Sequence, residues 1–198
     1  MRHFYVRLAT LCFLIFTVML LVIHAQPYDD HELRNVLLPE GCPAPCFMGI
    51  RPGVTKMASA ITLLEGNEWV ETIEKTFTSI SWDWSNRIPD GFKEGIPGSL
   101  EIRNNNVNNI LVTTNYSLGD IRLALGLPDL ETIVATSRSK YLLYTAFYNQ
   151  YGLLVQRYFA CPVIEPFRET VGITIKQPTE TTPTKLNSIN DLFRTCLG

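Results

Sequence analysis

The apolar residues of this chain change their spacing several times, and each change marks an element. From Leu8 to Ile23 they form one uncharged run behind Arg2 and Arg7, followed by His24-Ala25-Gln26. A basic start, an apolar run and a small exit residue are the layout of a secretory signal, with Ala25 at the exit. The run also approaches the roughly 20 apolar residues that span a bilayer. Residues 1–25 therefore read as a signal peptide or an N-terminal anchor, with the body exported in either case. Cys12 lies too early in the run to serve as a lipid-attachment cysteine. Residues 26–41 read as a flexible lead.

Past residue 41 the spacing alternates between helical and extended. Pro52-Gly53 is turn chemistry and Thr55 is placed to cap a helix. Met57, Ala60, Ile61 and Leu64 follow at i, i+3, i+4 and i+7, and Gly66 supplies the stop. Trp69–Phe77 and Thr78–Trp84 are rich in β-branched and aromatic residues and read as strands. Leu100–Arg103 and Val107–Thr113 follow, with Asn104-Asn105-Asn106 marking a hairpin turn between them. A second round opens at Ser117, where Asp120 completes a capping-box start. Leu118, Ile121 and Leu125 form its apolar stripe, stopped by Gly126-Leu127-Pro128. Leu130–Thr136, Tyr141–Tyr148 and Leu153–Cys161 then read as strands, with Asn149-Gln150-Tyr151-Gly152 turning between the last two.

An offset of 61 aligns Met57 with Leu118, Ala60 with Ile121 and Leu64 with Leu125. The expected fold is α+β, built from two tandem helix-then-antiparallel-sheet units with the helices packed on one face of the strands. The units span residues 42–114 and 115–175. Residues 176–187 form a Pro/Thr-rich linker, and 188–198 a short C-terminal helix opened by Ser188 and Asp191.

The helix openings carry a resemblance. Gly49-Ile50-Arg51-Pro52-Gly53-Val54-Thr55 with Leu63-Leu64 resembles those of the small outer-membrane assembly lipoproteins. So does Ser117-Leu118-Gly119-Asp120 with Leu123-Ala124-Leu125-Gly126-Leu127-Pro128. The same stretches are similar to the tandem fold of the β-lactamase inhibitor proteins. The resemblance covers roughly residues 42–163 and implies non-enzymatic binding through a sheet face. The attachment cysteine of the lipoprotein family is absent, and the matching positions are turns and caps.

Charge and composition narrow the function classes. Without residues 1–25 the 17 basic residues lose Arg2 and Arg7 and become 15, against 19 acids, a net charge of −4. Such a chain does not suit a nucleic-acid binder held by phosphate contacts. The histidines fall from 3 to 1, leaving His31 in the lead, which leaves little room for Ser-His or Cys-His catalysis. Metal-site and phosphate-loop motifs do not occur, so neither a metal nor a cofactor is expected.

Cysteines 42, 46, 161 and 196 form an even set on an exported chain, which suggests disulfides. In Cys42-Pro43-Ala44-Pro45-Cys46 the prolines favour an extended run of about 3.1 Å per residue. That separates the two sulfurs' residues by roughly 12 Å, beyond the roughly 7 Å Cα limit of a disulfide. The expected pairs are therefore Cys46–Cys161 and Cys42–Cys196, with the swapped arrangement as the runner-up. Loops of over a hundred residues closed this way are worth about 4–5 kcal/mol.

Aromatic residues supply the candidate binding positions. Trp82 and Trp84 share one strand face, either as a platform for a partner or as core. On the Tyr141–Tyr148 strand of the last hairpin, Tyr144, Ala146 and Tyr148 share one face, while Leu143, Thr145 and Phe147 take the other. Both faces carry aromatics, which leaves two readings: one face is an apolar surface offered to solvent, or, as expected here, the tyrosines occupy a half-exposed rim with their hydroxyls wet. The expected function is an exported binding or scaffolding module for a protein or envelope partner, in contact with membrane only through its N-terminal segment. The alternative is a carboxylate hydrolase of cell-wall sugars using Asp83, Asp90, Glu94 or Glu101.

Overall fold

The structure, a computed structural model, describes residues 2–25, 31–135, 141–161 and 165–177. Helix α1 (Arg2–Ala25) is followed by α2 (His31–Leu37) and α3 (Met57–Glu65). Strands β1 (Val70–Lys75), β2 (Ser79–Trp84), β3 (Gly98–Arg103) and β4 (Asn106–Ser117) come next. Helix α4 (Leu118–Leu125) precedes β5 (Leu130–Ala135), β6 (Tyr141–Tyr148), β7 (Leu153–Ala160) and β8 (Thr170–Lys176). The fold is α+β. All eight strands join one sheet in the order β1-β2-β3-β4-β8-β7-β6-β5, and every pairing is antiparallel.

One face of that sheet holds the core. Ile80, Trp82 and Trp84 of β2, Ile110 and Val112 of β4, Tyr144 and Tyr148 of β6, and Ile173 and Ile175 of β8 alternate inward and are buried. Ala60 and Leu64 of α3 and Leu118, Ile121 and Ala124 of α4 belong to the same cluster. The residues expected to face the core from the helices do so because their spacing places them on one stripe.

Local chemistry explains the element ends. The Ser117 hydroxyl accepts from the Asp120 N–H at 3.2 Å while the Asp120 carboxylate accepts from the Ser117 N–H at 2.9 Å, the capping box read from the sequence. Asn104 and Asn105 have φ of 51° and 64° and form the two-residue turn between Arg103 and Asn106, which pair directly. Thr55 does not cap α3. Its hydroxyl accepts from the Arg51 N–H at 2.8 Å, and its carbonyl accepts from Val107 N–H at 2.9 Å. The chain here is tied to the β3–β4 hairpin, and the helix starts only at Met57, after Lys56.

Four expectations are corrected. Residues 31–37 of the expected lead form α2, whose Leu33, Val36 and Leu37 recur at i, i+3 and i+4 and are buried. Strand β8 was not predicted, and Lys176 ends it rather than opening a linker. Cys42 and Cys46 are bonded to each other, with Cα atoms 5.9 Å apart, so neither Cys46–Cys161 nor Cys42–Cys196 forms. The run between the cysteines turns back on itself instead of extending, and it contains the cis Ala44–Pro45 peptide. The swapped pairing fails for the same reason. Cys161 is also disulfide-bonded, to a partner outside the described residues. The expected elements at 178–187 and 188–198, with Cys196, lie outside them too.

Helix α1 stands apart from the sheet. Its Phe4–Val22 stretch of 19 residues has mean hydropathy 2.3, is long and apolar enough to cross a membrane, and contains no buried residue.

Candidate functional site: the outer face of the sheet

The four aromatic residues singled out as binding positions lie on the inner face. Trp82 is 1% exposed and Trp84 9%, and their rings meet edge to face at 5.4 Å. Trp84 also stacks on Phe92 at 5.0 Å, and its Nε1 donates to the Ile96 carbonyl at 2.9 Å. Tyr144 and Tyr148 are as deeply buried. The Tyr144 hydroxyl donates to Glu131 at 3.1 Å and accepts from the Arg122 guanidinium at 3.1 Å, while Arg122 pairs with Glu131. Burial pushes both phenols up, each to about 12, although the Arg122 charge pulls the other way. These four side chains are core, and none is offered to a ligand.

Alternation therefore sends their sequence neighbours outward. On β6 the outer residues are Tyr141, Leu143, Thr145 and Phe147. Cross-strand pairing extends them into rows: Leu130–Phe147–Leu154 in one, Val134–Leu143–Tyr158 in another. Val134 is 56% exposed, Tyr158 61% and Tyr141 51%, and Leu111 of β4 adds 46% further along the sheet. The Lys176 ammonium sits 5.0 Å from the centre of the Phe147 ring, a cation–π contact at the edge of the patch. Between these rows runs a polar one, Thr132–Thr145–Gln156–Gly172–Thr113.

The other half of the outer face is hydrophilic. Glu74 and Ser81 pair across β1 and β2, and the Thr72 hydroxyl donates to Asp83 at 2.7 Å. Ser99 and Glu101 continue the surface on β3, where Glu101 accepts from Asn108 and Asn109 at 3.2 and 2.7 Å. One face thus carries a large apolar half on β5–β7 and an acidic, hydroxyl-rich half on β1–β3. Soluble monomers rarely expose apolar patches beyond a few hundred Å², and larger ones mark interaction sites.

The four candidate acids are divided. Asp83 and Glu101 are held on the sheet by the hydrogen bonds above. Asp90 and Glu94 line one hollow of about 300 Å³ together with Ile88, Phe92, Lys93 and Asn115. Both carboxylates are exposed there. Asn115 itself is engaged, its side-chain amide donating to the carbonyls of Asp90 and Phe92 at 2.9 and 2.8 Å. A larger, more open hollow of about 450 Å³ at the β1–β2 end is lined by Glu68, Val70, Glu71, Ser85, Asn86 and Arg87. Among the described residues no group of three or more His, Cys, Asp or Glu is arranged to hold a metal ion. The four residues chosen from the sequence are buried, and the exposed apolar residues of β6 and its neighbours are the opposite set: Tyr141, and Leu143 with its partners Val134 and Tyr158. No protein-family model, curated protein or solved structure matches this chain.

Proposed function

We propose that this protein is an exported, non-enzymatic binding or scaffolding module that takes a protein or envelope partner on the outer face of its sheet. The observation that carries this reading is the exposure of Val134, Tyr141 and Tyr158 beside Leu143 and Phe147, on a flat array of three strands. A rigid sheet presenting large apolar side chains loses little conformational freedom on docking, and Tyr is enriched at binding hot spots. The apolar helix α1 and the Cys42–Cys46 disulfide support export, with α1 as signal or anchor.

The same reading takes α3 with β1–β4 and α4 with β5–β8 as two copies of one unit. The mirrored strand order about the β4–β8 seam supports it. So do the aligned pairs Ala60/Ile121 and Leu64/Leu125, which all pack in or against the core. The proposal thereby takes the chain as built on the tandem plan that the helix openings resemble.

The experiment compares the exported protein with Tyr158→Glu and Val134→Lys variants, and with Leu123→Lys on the exposed side of α4 as control. Each is cross-linked in its own envelope fraction and recovered. The expected result is a defined partner held by wild type and the Leu123 variant and lost from the two sheet-face variants. Retention of that partner by Tyr158→Glu and Val134→Lys together would overturn the reading. A second reading, the sugar hydrolase, is favoured by Asp90 and Glu94 sharing one hollow. Release of sugar fragments from cell wall by wild type, abolished in Asp90→Asn with Glu94→Gln, would replace the first.

A further inference from the structure

The β1–β2 hairpin ends on a large apolar side chain. Phe77, at its tip, is 100% exposed, although turn positions favour small and polar residues. The turn that carries it is braced on both sides. The Thr76 N–H donates to the Ser79 carbonyl at 2.8 Å, and the Thr76 hydroxyl accepts from the Ser79 N–H at 3.0 Å. From β3, the Ile102 N–H donates to the Thr78 carbonyl at 2.7 Å. We propose that Phe77 is a membrane anchor, set into the interface of an anionic bilayer by an end of the sheet that carries the matching positive charge.

The charge lies at the same end. The 51–56 segment joins the β3–β4 turn there: Lys56 bridges to Asn106, and the Met57 N–H donates to the Asn105 carbonyl at 3.0 Å. Residues 51–56, 75–79 and 102–106 carry Arg51, Lys56, Lys75 and Arg103 and no acid. Glu65, paired with Lys75 at 2.9 Å, and Glu101, opposite Ser79, lie just behind them. Val54 adds a second exposed apolar side chain. At the far end of the same strands the balance is reversed, with Glu68, Glu71, Asp90 and Glu94 against Arg87 and Lys93. This chain of net charge −2 thus turns a positive end, tipped by phenylalanine, toward an anionic surface. One aromatic ring among threonine hydroxyls and cations fits acyl chains beneath a layer of phosphates. A protein pocket calls for a contiguous apolar area, such as that on β5–β7.

Helix α1 brings this end to a bilayer. His31 opens α2 six residues past Ala25, so α2 stays within roughly 20 Å of the end of α1. Arg34 of α2 donates to the Ala124 carbonyl in the last turn of α4, and the Gly126 carbonyl beyond it accepts from Tyr148, the last residue of β6. After the turn that follows Tyr148, the Gly152 carbonyl accepts from the Lys176 N–H, and Lys176 pairs with Asn109, three residues past Asn106. Helix α2 and both hairpin tips therefore share one end of the sheet. A single ring and a few cations hold a bilayer weakly, but tethered by a membrane-spanning α1 they meet it at high effective concentration. The inference rests on α1 being retained as an anchor, and not on the outer face.

The test uses the full chain, reconstituted through α1 into phosphatidylcholine vesicles containing roughly 30% phosphatidylglycerol. In Phe77→Trp the added emission is read against wild type, whose Trp82 and Trp84 are buried and whose Trp69 packs against the core. That emission is expected to move to shorter wavelength and to be quenched about twofold by bromine on the acyl chains, with the wild-type signal unmoved. Pure phosphatidylcholine is expected to abolish the quench, as is Lys56→Glu with Arg103→Glu in the anionic vesicles. Emission left at long wavelength in the anionic vesicles would overturn the inference. Equal quenching in both lipids would overturn it too, by leaving the charge without a role. A shift that appears only when envelope proteins are added would assign Phe77 to a protein pocket instead. The N-terminus of the exported chain is sequenced alongside, and a chain still carrying α1 is expected. A start at Gln26 would remove the tether and overturn the inference, while leaving partner binding on the outer face untouched.

Discussion

Gly98 is fixed by the side chain opposite it. A Cβ there would lie 2.2 Å from the Trp82 ring, and that ring is 1% exposed and cannot withdraw. Gly98→Ala is therefore expected to cost about 1–3 kcal/mol through overpacking, read as a lower denaturant midpoint with unchanged slope. The tyrosines beneath α4 make a pH prediction. Each phenol stands at about 12 in the folded protein against 10 in an unfolded chain. A raised acid leaves stability intact below pH 10 and removes it as pH climbs toward 12, because the unfolded chain releases its protons first. Burial is the largest cause at both positions, so the decline is expected between pH 10 and 12. Denaturant titrations at pH 9, 10, 11 and 12 check this, and Tyr148→Phe is expected to make the decline shallower. A curve flat up to pH 12 would refute it.

At the scale of elements, α4 depends on its cap. Ser117→Ala removes the acceptor for the Asp120 N–H and leaves the Asp120 carboxylate with one partner fewer, an expected loss of about 1 kcal/mol in unfolding free energy. Ser117→Asp is expected to recover part of it. This element was fully legible, since a cap, a 3.6-residue stripe and a stop are local signals. Helix α2 was legible in principle: Leu33, Val36 and Leu37 have helical spacing, but a seven-residue helix is too short to stand by propensity. Burial against the core sustains it. Strand β8 alternates Val171, Ile173 and Ile175, yet reads as the end of a unit until one sees it pair on both sides with β4 and β7. The Cys42–Cys46 bond was misjudged because the extended spacing expected of a proline-rich run does not hold over a segment this short, whose ends turn back to a Cα separation of 5.9 Å. Its short loop is worth about 2 kcal/mol in the chain-entropy relation, less than half of what a hundred-residue loop would give.

For the whole molecule, the decisive feature is that, among the described residues, one face of the sheet holds the core while the other leaves Val134, Tyr141 and Tyr158 exposed. Substitutions on the two faces should therefore separate cleanly. Tyr144→Ala opens a cavity and leaves Arg122 and Glu131 short of a partner, an expected cost of about 3–5 kcal/mol. Tyr158→Glu with Val134→Lys is expected to stay within about 0.5 kcal/mol of wild type. Thermal unfolding of the three proteins measures both. Equal losses on the two faces would mean that the outer patch is covered in the folded chain.

By itself the sequence determined the local alphabet of this protein. The apolar N-terminal run, the cap of α4, the helix stops, the asparagine turn and nearly all the strands follow from residue spacing, because those preferences act within a few residues. Which face of β2 and β6 became core was decided elsewhere. Trp82, Tyr144 and their opposite-facing neighbours Ser81 and Phe147 all suit a strand, and only the arrival of α3 and α4 on one side settled which set lost its water. The candidate site is what remained exposed after that choice.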